Sequence, residues 1–154
     1  EMMMRIASPA FFDGASVPAP YTCSGKNISP PFEFGDFPPG TQSLALIVED
    51  RDATPQPWTH WLVFNIPPAT TVVPASDIPE GGTEGIANGG THGYEGPCPK
   101  YFSGTHHYHF QLHALDITLD LPASADKSQV TAAMQDHVIA SAVLVGLCEG
   151  TKPE

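Results

Sequence analysis

From His107 to Ala114 the chain alternates polar and apolar residues without a break. His107, His109, Gln111 and His113 share one parity; Tyr108, Phe110, Leu112 and Ala114 share the other. A period of two marks a β-strand, whose successive side chains point to opposite faces. Such a strand commits the chain to a sheet with one dry face and one wetter face. The apolar set belongs on the dry face. His106 precedes the run with the parity of Tyr108, so it is expected to turn inward while the other three histidines turn out.

The remaining segments follow the same rhythm. Residues 43–49, SLALIVE, form a near-continuous apolar run of strand length, expected to be buried on both faces. Residues 59–66, THWLVFNI, read as a further strand. The stretch 79–99 is dense in proline and glycine and keeps no period, which predicts a long loop. One helix is expected late in the chain, capped by Ser124 or Asp126, with Val130, Met134 and Val138 along one stripe and His137 inside it. Val143-Leu144-Val145 then restores a strand signal. The fold expectation is mostly β: an antiparallel β-sandwich with one helix near the C-terminus, forming a single domain over residues 1–154.

Charge narrows the function. Seventeen acids against six bases give a net charge of −11. The six bases are scattered, so nucleic acid is not an expected partner. Attraction to anionic membrane surfaces is opposed by the same charge, and no apolar run approaches the ~18 residues needed for membrane insertion. The opening EMMMRIASPAFF lacks a basic segment followed by an apolar one, so no secretory signal is expected. Three cysteines are an odd number, for which a reducing compartment is the simpler reading. These points together suggest a soluble cytoplasmic protein, with pairing of Cys23 and Cys98 left open for an exported or periplasmic form.

Three groups of polar residues sit at strand ends: Asp50-Arg51-Asp52, His60 two residues after Trp58, and Gly104-Thr105-His106-His107-Tyr108. Asp50 shares parity with Leu44, Leu46 and Val48, and His60 with Leu62, Phe64 and Ile66. Polar groups on core-facing parities, all at strand ends, suggest a polar pocket at one end of the sandwich. Each has a blander reading. A strand-end aspartate commonly bonds its own backbone, a solitary histidine is often a satisfied core residue, and Cys98 in GPCP reads as a packed thiol.

Taken in order, these segments resemble the phosphatidylethanolamine-binding protein family, in its bacterial and archaeal Raf-kinase-inhibitor-like branch. The resemblance runs through YTCSGKNISPPFEF at 21–34, PPGTQSLALIVEDRDA at 38–53, WTHWLVFNIP at 58–67, GYEGPCP at 93–99 and GTHHYHFQLHALD at 104–116. It implies a small anion pocket lined by Asp50, Asp52, His60, Gly96, Pro97, His106 and Tyr108. It also implies a phosphate-like or phosphorylethanolamine-like ligand and an inhibitory role toward a kinase or a protease. The chain departs from the family's Asp-Pro-Asp-Ala-Pro motif at Arg51 and Thr54, where Arg51 could add a positive charge. His107 stands where the family has arginine, on the parity that faces away.

Protonated His60 and His106 would offer N–H donors to an anion, Tyr108 a hydroxyl, and the backbone near Gly96 further N–H groups. No cofactor, metal or enzymatic activity is expected on this reading. Two alternatives belong to other classes. One is a metal-dependent phosphoester hydrolase built on the histidines and aspartates. The other is a partner-binding β domain with a vestigial pocket, presenting Phe32, Phe34 and Phe37 as an exposed surface. Self-association as a symmetric homodimer is compatible with either.

Overall fold

The computed structural model describes residues 3–154. The sequence reading of the leader begins at residues 1 and 2, which lie outside the described residues. Among the described residues eight strands make two antiparallel sheets. The smaller contains β1 (Arg5–Ala7), β2 (Phe32–Gly35) and β5 (Val72–Val73), in the order β1-β2-β5. The larger contains β3 (Ser43–Asp50), β4 (Trp58–Ile66), β6 (Thr83–Glu84), β7 (Thr105–Leu115) and β8 (Val138–Glu149), in the order β6-β4-β3-β7-β8.

The large sheet is dry on one face and partly dry on the other. Its inner face packs Leu44, Leu46 and Val48 of β3 with Phe110 and Leu112 of β7 against Phe32 and Phe34 of β2. Phe32 lies 5.7 Å from Phe110 and 6.4 Å from Trp61, ring centre to ring centre. Phe32 and Phe34 are therefore core, not the exposed surface the partner-binding alternative needed; Phe37 is partly buried against the same core. On the outer face, Ala45 and Ile47 of β3 and Leu62 and Phe64 of β4 meet α1 (Lys127–Met134) through Val130 and Met134. β3 is buried along its whole length because both of its faces are covered. Where α1 does not reach, the outer parity of β7 is wetter: His107, His109 and His113 face that way, as their alternation predicts.

Asp126, one of the two caps expected, accepts from the Gln129 backbone N–H while Gln129 returns a bond to the Asp126 N–H, a reciprocal capping box. The helix stops at Met134, earlier than its apolar stripe suggests. Asp136 takes a left-handed φ of 69° and Val138 opens β8 instead of continuing the stripe. His137 thus lies outside the helix, with Nδ1 2.8 Å from an Asp116 carboxylate oxygen. The expected loop of 79–99 carries a two-residue strand, β6, and β5 lies just before it; both are too short to leave a period in the sequence.

Cys23 and Cys98 form a disulfide across 75 residues, with Cα atoms 5.1 Å apart. The pairing that the odd count left open is thus made, and Cys98 is a disulfide sulfur and not the packed thiol its GPCP context suggested. The leftover is Cys148, 8% exposed on β8. Burial, helped by the Asp50 and Glu149 carboxylates, pushes its thiol up to about 11. Below that value the sulfur stays protonated and unreactive. A thiol-specific reagent at pH 8 should therefore titrate essentially no cysteine in the native protein, one after denaturation, and all three after denaturation with reductant. A reactive thiol in the native state would contradict both the pairing and the burial.

Candidate functional site

Strand register gathers the polar residues. Asp50 ends β3 opposite Trp58 of β4 on one side and Tyr108 of β7 on the other. Directly opposed residues share a face, so all three turn toward the space between the sheets. His106 continues that parity two residues before Tyr108, opposite Cys148 of β8.

His60 arrives by a different route. In β4, Trp61 and Val63 face the inner core while Leu62 and Phe64 face α1. Simple alternation, which grouped His60 with Leu62 and Phe64, would turn it toward the helix. The register shows why it does not. Val48 pairs with Trp61 and Glu49 with Thr59, leaving His60 as the extra residue of a β-bulge. A bulge re-aims one side chain, and here it brings the His60 ring to 5.0 Å from that of Tyr108, edge to face. A second irregularity between Val63 and Ile66 returns Ile66 to the inner core.

These groups border a cavity of about 400 Å³. Asp50, His60, His106 and Tyr108 supply its polar lining, with Trp58, Tyr101, Phe102, Ala53, Thr54, Glu95, Gly96 and Cys98 around them. Asp50 is 4% exposed and Tyr108 1%. The Asp50 carboxylate accepts from His106 Nδ1 at 2.6 Å and from the Asp52 backbone N–H at 2.9 Å. With Nδ1 committed, the ring orientation of His106 is fixed and Nε2 is left for the cavity. Phe102 stacks on the imidazole, 3.6 Å between centres and 15° from parallel. His60 Nδ1 lies 2.5 Å from the Glu95 carbonyl, which can only accept, so Nδ1 carries the proton. Burial holds His60 below its ordinary value, against the opposing pull of the Glu95 carbonyl and the Asp50 charge. The Tyr108 hydroxyl is raised by burial first and by the Asp50 carboxylate next, so it remains a neutral donor.

Two of the seven expected site residues are not among those lining the cavity. Asp52 turns outward and accepts from the backbone N–H of His107 at 2.6 Å and from its Nδ1 at 2.8 Å. Burial acts to raise Asp52, yet these bonds to His107 hold it below the usual carboxylate range. Pro97 is buried behind the wall, its carbonyl accepting from the Cys23 N–H at 3.0 Å. Gly96 does line the cavity, but its N–H is spent on Asn27 Oδ1 at 2.8 Å, so the backbone cradle expected there has lost that donor. Arg51 brings no charge to the pocket, since its guanidinium lies 3.4 Å from Glu49 on the opposite face. Sequence reading missed Ala53 and Thr54, in the turn after β3, and Trp58, Glu95, Cys98, Tyr101 and Phe102 as lining residues. The last four belong to the irregular stretch before β7, where no period reports direction. Among the described residues no group of three or more His, Cys, Asp or Glu side chains is placed to hold a metal ion.

The model of the family described as phosphatidylethanolamine-binding protein matches residues 7–149. The chain belongs to that family. A relative from Methanothermobacter thermautotrophicus, known as a UPF0098 protein, is 46% identical over 149 residues, 94% of this chain and 97% of that one. A Mycobacterium tuberculosis relative that carries the lipoprotein designation LppC is 40% identical over 147 residues, 96% of this chain and 73% of that one. Among solved structures, a phosphatidylethanolamine-binding protein homologue from Chlamydia trachomatis superposes with a TM-score of 0.90 at 36% identity, covering 97% of this chain and 99% of that one. Escherichia coli YbcL, described as a member of the mammalian family, superposes with a TM-score of 0.89 at 27% identity, covering 97% and 100%. The antiparallel two-sheet architecture is thus that of the phosphatidylethanolamine-binding proteins. Among the described residues no helix is long and apolar enough to cross a membrane.

Proposed function

We propose that the cavity binds a small anion of the phosphate type, such as a phosphate monoester head group, and that the protein works as a binding module without chemical turnover. One observation carries the reading: His60 and His106 converge from two strands on one cavity beside the Tyr108 hydroxyl, and each imidazole keeps a ring nitrogen not committed to the fold. Asp50 opposes an anion, and the histidines separate the two charges. Affinity in the ~mM to μM range is expected, roughly −4 to −8 kcal/mol.

The mechanism predicts a pH dependence. His60 Nδ1 already donates to Glu95, so its Nε2 can donate to an anion only when the ring is an imidazolium. Burial lowers the His60 pKa in the free protein, and a bound anion raises it. Binding therefore takes up a proton and weakens as pH rises. Sulfate, which does not titrate between pH 5.5 and 8, should bind about tenfold more weakly at the upper value, measured by calorimetry. His106→Ala should lose sulfate and phosphorylethanolamine binding while the circular dichroism spectrum persists. Equal affinity at both pH values refutes the imidazolium mechanism, and normal binding by the variant refutes the site.

A further inference from the structure

We propose that the Cys23–Cys98 disulfide is a redox clamp on the pocket: oxidised, it holds residues 98–104 as a wall with Phe102 against His106, and reduced, it frees that wall and weakens anion binding. The inference rests on the anion-binding reading above and adds its regulation.

Cys98 itself lines the cavity, and the next turn of the wall, a short 3-10 segment at Pro99–Tyr101, leads to Phe102. Phe102 is the ring stacked on His106, so displacement of the wall acts directly on a ligand-facing imidazole. Apart from the partly buried Phe102 ring, which packs against the edge of the inner core, the anchors of this wall are few. Upstream, residues 94–97 are held without the disulfide, by Tyr94 Oη donating to the Tyr21 carbonyl at 2.8 Å, by Gly96 to Asn27, and by Cys23 N–H to Pro97. Downstream of Cys98 the non-covalent backbone anchors are to residues 150–152: Thr151 N–H to Pro99 at 2.8 Å, Lys152 N–H to Phe102 at 3.0 Å and Gly150 N–H to Gly104 at 2.7 Å. Residues 151 and 152 are exposed. A wall tied to such a segment opens easily once its covalent tie is cut.

Reduction should leave the sandwich standing. The disulfide joins two irregular segments at one end of the molecule, and neither cysteine belongs to either buried core cluster. Both are only half-buried, and Cys98 borders the open cavity, so a reductant has access. A protein or small-molecule dithiol is the co-reactant. Its thiolate attacks one sulfur, the Cys23–Cys98 bond breaks, and two electrons and two protons pass to the pair. Two thiols form here while the donor becomes a disulfide.

The test titrates sulfate at pH 5.5 into the oxidised protein, the protein reduced with dithiothreitol and desalted without air, and the double variant Cys23→Ser, Cys98→Ser. A wall that is ordered about a fifth of the time raises the apparent Kd about fivefold. The reduced protein and the variant should both show that loss, and reoxidation should restore only the former. Amide exchange at 98–104 should accelerate about tenfold on reduction while amides of β3 and β7 hold. Equal affinity in both redox states, with unchanged exchange at 98–104, overturns the clamp and leaves the pocket reading intact. Global unfolding on reduction also overturns it, because the disulfide would then be a staple of the whole fold. An oxidised protein that binds no sulfate removes the pocket reading and the clamp with it.

Discussion

Gly96→Ala should cost about 3 kcal/mol of stability and strip the pocket of its affinity. A Cβ at this position would lie inside the van der Waals contact of the Tyr21 carbonyl oxygen and crowd Asn27 Oδ1 at 2.8 Å. The obstacle is backbone, not the far end of a flexible side chain, so the two segments must part. Parting them strains three bonds at once: Gly96 N–H to Asn27 at 2.8 Å, Cys23 N–H to Pro97 at 3.0 Å, and Tyr94 Oη to Tyr21 at 2.8 Å. Each is worth about 1 kcal/mol, and overpacking adds about 1–3 kcal/mol of which relaxation recovers part. Against a total stability of about 5–15 kcal/mol the loss is large. Urea unfolding of the variant measures it. A change within about 0.5 kcal/mol, the range of an ordinary surface substitution, would show that the close approach of these segments is not rigid.

Asp50→Ala should cost a similar amount, about 2–3 kcal/mol, by another mechanism. Its carboxylate is nearly fully buried and accepts from His106 Nδ1 and from the Asp52 N–H. Deleting it leaves both donors without their acceptor at a site largely closed to water. Breaking a buried pair by removing one partner costs about 3–5 kcal/mol; the neighbouring cavity admits some water and reduces the figure. Binding should fail too, although an acid opposing the anion has been removed. The His106 ring loses the bond that orients it, and orientation outweighs the relief of repulsion. Asp50→Asn separates the two effects, because it keeps an acceptor without the charge. Tighter sulfate binding by Asp50→Ala than by the native protein would reverse that ranking.

The sheet was legible because its signal is local. The alternation of 107–114 placed Tyr108, Phe110 and Leu112 inside and three histidines outside, and the apolar run of 43–49 announced a strand covered on both faces. Asp50 and His106 followed from the same parity. His60 was chosen for a reason the structure replaces: its parity pointed to the helix side, and the bulge returned it to the pocket. Asp52 and Pro97 were carried by resemblance, and a motif records which residues lie near a site without recording which way each one turns. The rest of the wall depends on pairings across 73 to 75 residues, Tyr21 with Tyr94 and Cys23 with Cys98, which no local period encodes. The end of the helix was misread because the apolar stripe runs past Met134 while the left-handed turn at Asp136 breaks it.

The extra residue in β4 makes spacing a part of the chemistry. Trp58 and Trp61 both turn inward although three peptide bonds separate them, because the bulge takes up His60 as an extra residue. A single-codon deletion there would bring the ladder back into step and leave no surplus position from which an imidazole could reach Tyr108. Two homologues differing by one gap at this point could share the flanking motifs and yet differ in whether an imidazole reaches the pocket. Alignments of such chains need to be judged on length between the tryptophans before they are judged on letters.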